Sequence, residues 1–248
     1  MKRALALETS GRVGSVALAE DGRLLAEEQF PHGLRHAAKI LTVIDSLCRA
    51  RAWQPADLNE LYVSIGPGSF TGLRIGITVA RTMALATKLK IVAVPTVAVL
   101  VRNAPADARH VIIVLDAKRG QIFTARFERT ESGWTEREPA HLDTLAAMLT
   151  RSPRPVHLVG EGLPHHDKQI ADQSVLLTPP PSWRARAGAV ADLGWEMSRQ
   201  GKFTDPLLLL PLYVRLPEAE EKFNAVNPRS APPGSPPHKA GPSSAPSP

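Results

Sequence analysis

The stretch Ile65-Gly66-Pro67-Gly68-Ser69-Phe70-Thr71-Gly72-Leu73-Arg74-Ile75-Gly76 joins three local signals. A short apolar run, Leu61 to Ile65, ends. A glycine-containing loop turns, and a helical pattern starts near Thr71 and continues to about Leu89. Ser69 or Thr71 is placed to cap that helix. Free backbone N–H groups at a helix start favour an anion, so the loop reads either as a tight structural turn or as a phosphate cradle. It is not a Walker A loop: Leu73-Arg74 stands where Lys-Ser/Thr is required. Gly72 and Gly76 share one helix face and permit close approach of another helix.

The same alternation of strand and helix extends in both directions. Ala4-Leu5-Ala6-Leu7 is apolar throughout, as a buried strand is. Glu8 to Gly14 is turn-like, Ser15 to Ala19 resumes the strand, and Glu20-Asp21-Gly22 is a hairpin signal before a third strand at Leu24 to Gln29. A helix follows from about Leu34 to Arg51, with Ile40, Leu41, Ile44 and Leu47 at helical spacing. Ile91 to Val94 reads as a strand and Thr96 to Val101 as a short helix. A second unit opens at His110. Val111 to Leu115 is apolar and ends in Asp116, as Leu7 is followed by Glu8; in both places a glycine-containing turn and a second strand follow, the latter here at Ile122 to Phe127. Two structural repeats, each opening with an acid-tipped hairpin, are expected. Thr144 to Leu149 and Ala185 to Arg199 read as helices, Val156 to Val159 as a strand, and Leu207 to Arg215, preceded by Pro206 and interrupted by Pro211, as an edge segment. The class is α/β.

Composition narrows the function. The 248 residues carry a net charge of +6, with 43% hydrophobic and 5% aromatic residues. Lys and Arg are scattered and not interleaved with aromatics, so no stacking platform for nucleic acid is visible. A solvated basic surface is the plainer reading and direct RNA contact the other. A single cysteine, Cys48, in an apolar helical stretch reads as a buried structural thiol and fits a reducing, cytoplasmic setting. No export signal and no run of membrane-spanning length is seen. Eight of the 22 residues from Asn227 to Pro248 are proline, which reads as a disordered tail. His32 and His36 stand four apart, but Gly33 makes a helix start there doubtful and no glutamate lies between them, so no metal site is expected. No nucleophile–base arrangement of a protease can be argued.

As a whole string, Gly66 to Gly76 resembles the hallmark of the TsaB (YeaZ) family. Leu5-Ala6-Leu7-Glu8-Thr9-Ser10, Asp116-Ala117-Lys118-Arg119-Gly120-Gln121-Ile122-Phe123 and Pro211-Leu212-Tyr213-Val214-Arg215 resemble three further segments of that family, in the same order. The resemblance implies an actin/Hsp70-like (ASKHA, ribonuclease H-like) fold with two related lobes: residues 1–105, residues 106–222, and then the tail at 223–248. It implies a non-catalytic scaffold or dimerisation subunit of the machinery that makes N6-threonylcarbamoyladenosine beside the tRNA anticodon. A TsaD-type subunit would carry the chemistry, a TsaE-type ATPase would join, and tRNA would be met through the complex. The implied interface, to TsaD or in a homodimer, lies on the first two helices, with Leu41, Ile44, Ile75, Val79 and Met83. Glu8, Thr9, Ser10 and Asp116 are the candidates for nucleotide or phosphate contact. Glu8 stands where the family usually has Asp, which displaces a metal or water by more than about an ångström. No cofactor is expected on this chain alone, although ATP/ADP and a metal fit the complex. The other function considered is an ASKHA-fold ATPase or kinase acting by itself.

Overall fold

A computed structural model describes residues 1–31, 36–166, 170 and 172–214; the proline-rich tail and His32 lie outside the described residues. Two five-stranded mixed sheets organise these residues. The first comprises β1 (Arg3–Glu8), β2 (Val13–Glu20), β3 (Arg23–Pro31), β4 (Glu60–Gly66) and β5 (Lys90–Pro95) in the order β3-β2-β1-β4-β5. The second comprises β6 (His110–Asp116), β7 (Ile122–Thr130), β8 (Gly133–Asp143), β9 (Val156–Val159) and β10 (Val175–Leu177) in the order β8-β7-β6-β9-β10. The two orders are the same, with an antiparallel three-strand meander followed by two parallel strands. The repeat inferred from two acid-ended strands is therefore a repeat of whole topology, the actin/Hsp70-like arrangement.

Strand β1 shows why the sheets sit where they do. Its side chains alternate between faces. Leu5 and Leu7 enter a core with Val16, Leu18, Ile40, Ile44, Ile77 and Ala80, beneath helices α1 (His36–Ala50) and α2 (Phe70–Thr87). Ala4 and Ala6 face the other way, into a core shared with Val111, Ile113 and Phe127 of the second sheet. The small alanines leave room there for α5 (Ala187–Arg199), which lies against β1, β2, β4 and β5. A helix late in the chain thus packs on the first sheet. The short helices α3 (Thr96–Leu100) and α4 (Leu145–Arg151) complete the frame, and Thr144 Oγ1 caps α4 by accepting from the Ala147 amide.

Two strands have no clear sequence signal. β10 has three residues, and β8 is an edge strand rich in charge. Arg126 and Arg151 pair with Glu138 of β8 at 2.8 and 3.0 Å, and Arg137 of β8 pairs with Glu128 at 2.9 Å. Charged edges of this kind resist pairing with another sheet. The segment at 203–213 forms no strand. Thr204 bridges Ile91, the Leu212 amide donates to the Ile65 carbonyl at 2.7 Å, and Leu209 is buried between these two anchors. Cys48 is buried, and burial pushes its thiol pKa up, as suits a structural residue.

Gly194 of α5 lies flat on the Tyr62 ring, and a methyl group there would collide with the ring and its Cβ. The Gly194→Ala variant is expected to lose about 1–3 kcal/mol. Urea unfolding should show a lower midpoint with an unchanged slope.

Candidate functional site

Two surfaces follow from the sequence candidates: the paired hairpin tips and the outer face of α1 and α2. At the first tip the backbone of Thr9 and Ser10 runs against the start of α2. A Cβ at position 72 would meet the Thr9 carbonyl oxygen, and one at 76 would meet Thr9 Oγ1. A Cβ at 68 would sit 2.5 Å from the Ser10 carbonyl oxygen. These glycines are spaced for a hairpin, and the neighbour that Gly72 and Gly76 admit is this tip instead of another helix. The α2 N-terminus is capped from within the protein. The Ser69 amide donates to the Ser10 carbonyl at 2.7 Å, and the Gly72 amide donates to Ser69 Oγ at 3.2 Å. Ser69 is the cap, and the loop is the tight structural turn.

The acid at this tip is sealed. Glu8 and Thr9 are fully buried and Ser10 nearly so. Glu8 Oε1 accepts from the Ser10 amide at 2.5 Å and from Ser10 Oγ at 2.6 Å. Glu8 Oε2 and Thr9 Oγ1 have no hydrogen-bond partner. Burial pushes the Glu8 carboxyl above the ordinary carboxylate range against the pull of the Ser10 hydrogen bonds, and the nearby Glu161 carboxylate adds to the rise.

The second tip is built differently. Asp116 is exposed, and its Oδ1 accepts from the Lys118 amide at 2.9 Å. The Gln121 amide donates to the Lys118 carbonyl at 3.0 Å. Lys118, Arg119 and Gly120 have φ of 61, 56 and 75°, so two non-glycine residues are held left-handed at a cost of about 1–2 kcal/mol each. Between the tips lies Gly160-Glu161-Gly162, the turn after β9 that corresponds to Gly66-Pro67-Gly68 after β4. Glu161 Oε2 accepts from the Arg12 amide at 2.9 Å, and Arg184 stands 3.6 Å from Oε1. A Cβ at 162 would lie 2.7 Å from the Asp116 amide. The structure thus brings Glu8, Thr9, Ser10 and Asp116 to the two ends of one turn, with only Asp116 open to solvent. Glu161 and Arg12, which had no sequence signal of their own, join them. The His36 side chain lies outside the described residues. Among the described residues no three His, Cys, Asp or Glu side chains converge as a metal site requires.

On the other side of α2 is an apolar groove of about 550 Å³. Ile75, Val79 and Met83, spaced by four along α2, form its floor, with Leu41 of α1 facing them and Phe70 and Arg74 at one end. Leu41 is 55% exposed, whereas Ile44 is 7% exposed and belongs to the core beneath α1. The structure therefore groups four of the five interface candidates and separates Ile44, which turns inward with Ile40 and Val43. At the groove's end Arg74 lies over the Phe70 ring at 4.1 Å and its Nε donates to Tyr213 Oη at 3.1 Å; Tyr213 packs on Phe70 at 5.4 Å.

Because folding raises the Glu8 pKa, the unfolded chain releases this proton first, and Glu8 withdraws stability as pH rises above the ordinary carboxylate range. Glu8→Gln, which keeps an acceptor for Ser10, is expected to be more stable than the parent at neutral pH. That gain should fade as pH falls through and below the unfolded carboxylate pKa of about 4.3, as thermal unfolding at a series of pH values would report.

The family model described as "TsaD: tRNA N6-adenosine threonylcarbamoyltransferase" matches residues 33–183, well over half of the chain. The chain is 29% identical to the tRNA threonylcarbamoyladenosine biosynthesis protein TsaB of Bacillus subtilis over 226 residues, 88% of this chain and 96% of that protein. It is 34% identical to TsaB of Escherichia coli over 134 residues, 53% of this chain and 57% of that protein. YeaZ of Pseudomonas aeruginosa has the same fold, with a TM-score of 0.74 at 23% identity over 86% of this chain and all of that one. Matched by the TsaD family model across both lobes and by TsaB and YeaZ proteins over most of its length, the chain belongs to the TsaB (YeaZ) family.

Proposed function

We propose that the chain is a non-catalytic scaffold subunit in the synthesis of N6-threonylcarbamoyladenosine on tRNA, and that its α1/α2 groove docks a TsaD-type catalytic subunit. The relatives named above are tRNA threonylcarbamoyladenosine biosynthesis proteins. The observation that carries the docking role is the groove itself. Its floor of Ile75, Val79 and Met83 is half-buried with Leu41 standing open beside it, and an open apolar cleft of this kind between two helices suits a partner's helices. The tips support a passive role. Glu8, Thr9 and Ser10 are buried in the first hairpin and Asp116 Oδ1 holds the turn of the second, which supports a reading in which these residues serve the fold. The threonylcarbamoyl chemistry, with any ATP/ADP and metal, then belongs to the TsaD-type subunit and a TsaE-type ATPase. The setting is the cytoplasm, and the same groove supports a homodimer when the partner is missing. No helix among the described residues is long and apolar enough to cross a membrane.

Co-expression with the cognate TsaD-type subunit tests this. The parent chain is expected to co-purify with it. Ile75→Asp and Met83→Asp, at half-exposed positions, should stay folded and weaken capture about 30-fold or more, the scale of one interface hot spot. Ile44→Asp should instead unfold the lobe by burying an unpaired carboxylate. Capture indifferent to the groove variants would overturn the docking role. Magnesium-dependent ATP hydrolysis by the isolated chain, lost on Asp116→Ala, would favour the stand-alone ATPase.

A further inference from the structure

Among the described residues that line the α1/α2 groove, Arg74 alone is charged. Its contacts among those residues are aromatic and include no carboxylate. The guanidinium lies 4.1 Å from the centre of the Phe70 ring, and Nε donates to Tyr213 Oη at 3.1 Å. Both rings and Arg74 itself are exposed. The bond to Tyr213 uses Nε, so the two terminal amino groups are left for an acceptor from outside. Arg74 stands one turn in from the start of α2, where the helix dipole favours acids and gives a cation nothing. A planar cation laid on an aromatic ring and bonded at Nε is held ready for a carboxylate, and arginine with aromatic neighbours is the composition of an interface hot spot.

The charges of the two helices say which partner suits this end. Helices α1 and α2 carry Lys39, Arg49, Arg74 and Arg81 against one acid, Asp45, which Arg49 already holds at 2.9 Å. A second copy laid on the groove would bring another basic helix pair, and its α1 and α2 would offer Arg74 no unengaged carboxylate. Covering Arg74 in that way takes a cation out of water without a partner, a cost that discriminates against the pairing.

We propose that Arg74 selects the groove's partner by taking a carboxylate at one end of an amphipathic helix of the TsaD-type subunit, and that the same residue disfavours self-pairing. This rests on the docking role proposed above. The apolar row from Ile75 to Met83 is about 12 Å long, so the partner helix would carry apolar residues over about two turns with an Asp or Glu at the end that meets the start of α2. The fork of the two amino groups fixes the register of that helix, while the apolar row supplies the buried area.

The test uses the full chain and the purified cognate TsaD-type subunit, with Kd measured by titration calorimetry at low and high salt and self-association of the chain by sedimentation. The variant Arg74→Met keeps a straight stem beside Phe70 and removes the charge. Its Kd for the partner should rise about 30-fold at low salt, the scale of one hot spot, and by less at high salt, where the parent's ion pair is screened. Its self-association should be unchanged or stronger. Arg74→Lys should recover only part of the loss, because an ammonium cannot lie flat on Phe70 and present the same fork. Arg74→Glu should be rescued by reversing one Asp or Glu of the partner's helices to Arg. Partner affinity unchanged in Arg74→Met while Ile75→Asp still abolishes capture would overturn the anchor and leave the docking role standing. Equal weakening of partner binding and self-association, or no rescue by any single reversal, would also overturn it, in favour of an arginine that only holds the strap through Tyr213. Capture that ignores Ile75→Asp as well would sink the docking role itself.

Discussion

The structure depends on one close approach of backbone to backbone. The Thr9 and Ser10 carbonyls lie where side chains at 72 and 68 would begin, and only glycine allows it. Through this contact the first hairpin caps α2: the Ser69 amide is bonded to Ser10, and Ser69 in turn holds the Gly72 amide. The partial positive charge of the α2 N-terminus is met by a peptide carbonyl, which leaves less for an anion. The same contact buries Thr9 and Ser10 and closes water away from Glu8. A carboxyl shut in with one oxygen unpartnered is poorly placed to hold a metal ion and is better neutral.

What the contact closes on one side of α2 it fixes on the other. Gly72, Leu73, Gly76, Ile77, Ala80 and Ala84 face inward. Ile75, Val79 and Met83 stand one step round the helix, half-buried. With the start of α2 packed against the hairpin, this row stands opposite Leu41 and the groove is already formed in the chain by itself. Preformed surfaces lose less entropy on binding. Arg74, Phe70 and Tyr213 extend the clamp to the strap at 203–213, whose Leu209 is anchored in the same core.

Much of this was legible in the residues, for reasons that can be stated. The strands whose apolar residues are buried on both faces, such as Ala4 to Leu7, read as runs, and the Asp21-Gly22 hairpin is left-handed at both residues, with φ of 48 and 82°. The Leu/Ala alternation in β1 held a further message, that one face admits a helix closely, but not which helix. That α5 fills the place depends on contacts across more than a hundred residues, such as Gly194 on Tyr62. β8 was invisible because an edge strand held by Arg–Glu pairs lacks apolar alternation. Leu41 and Ile44 look alike as candidates because three residues on a helix lie only about 60° apart; with Ile40 and Val43 inside, that step is enough to turn Leu41 towards solvent and keep Ile44 in the core. The roles of Glu161 and Arg12 arise only when the two lobes meet.

The duplicated frame makes the difference between the tips instructive. After β4 the Gly66-Pro67-Gly68 turn leads into an 18-residue helix that covers the first hairpin. After β9 the matching Gly160-Glu161-Gly162 turn leads, among the described residues, into a 3-10 turn at Leu163–His165. Among the described residues no helix of α2's length covers the second tip, and Asp116 is exposed while its counterpart Glu8 is buried. The acids are equivalent by topology and opposite by environment, and environment sets what a carboxylate can do. The first tip is packed against the α2 glycines, and Glu161 reaches across to hold the Arg12 amide. One duplicated frame thus holds one acid buried under a helix and the other in water.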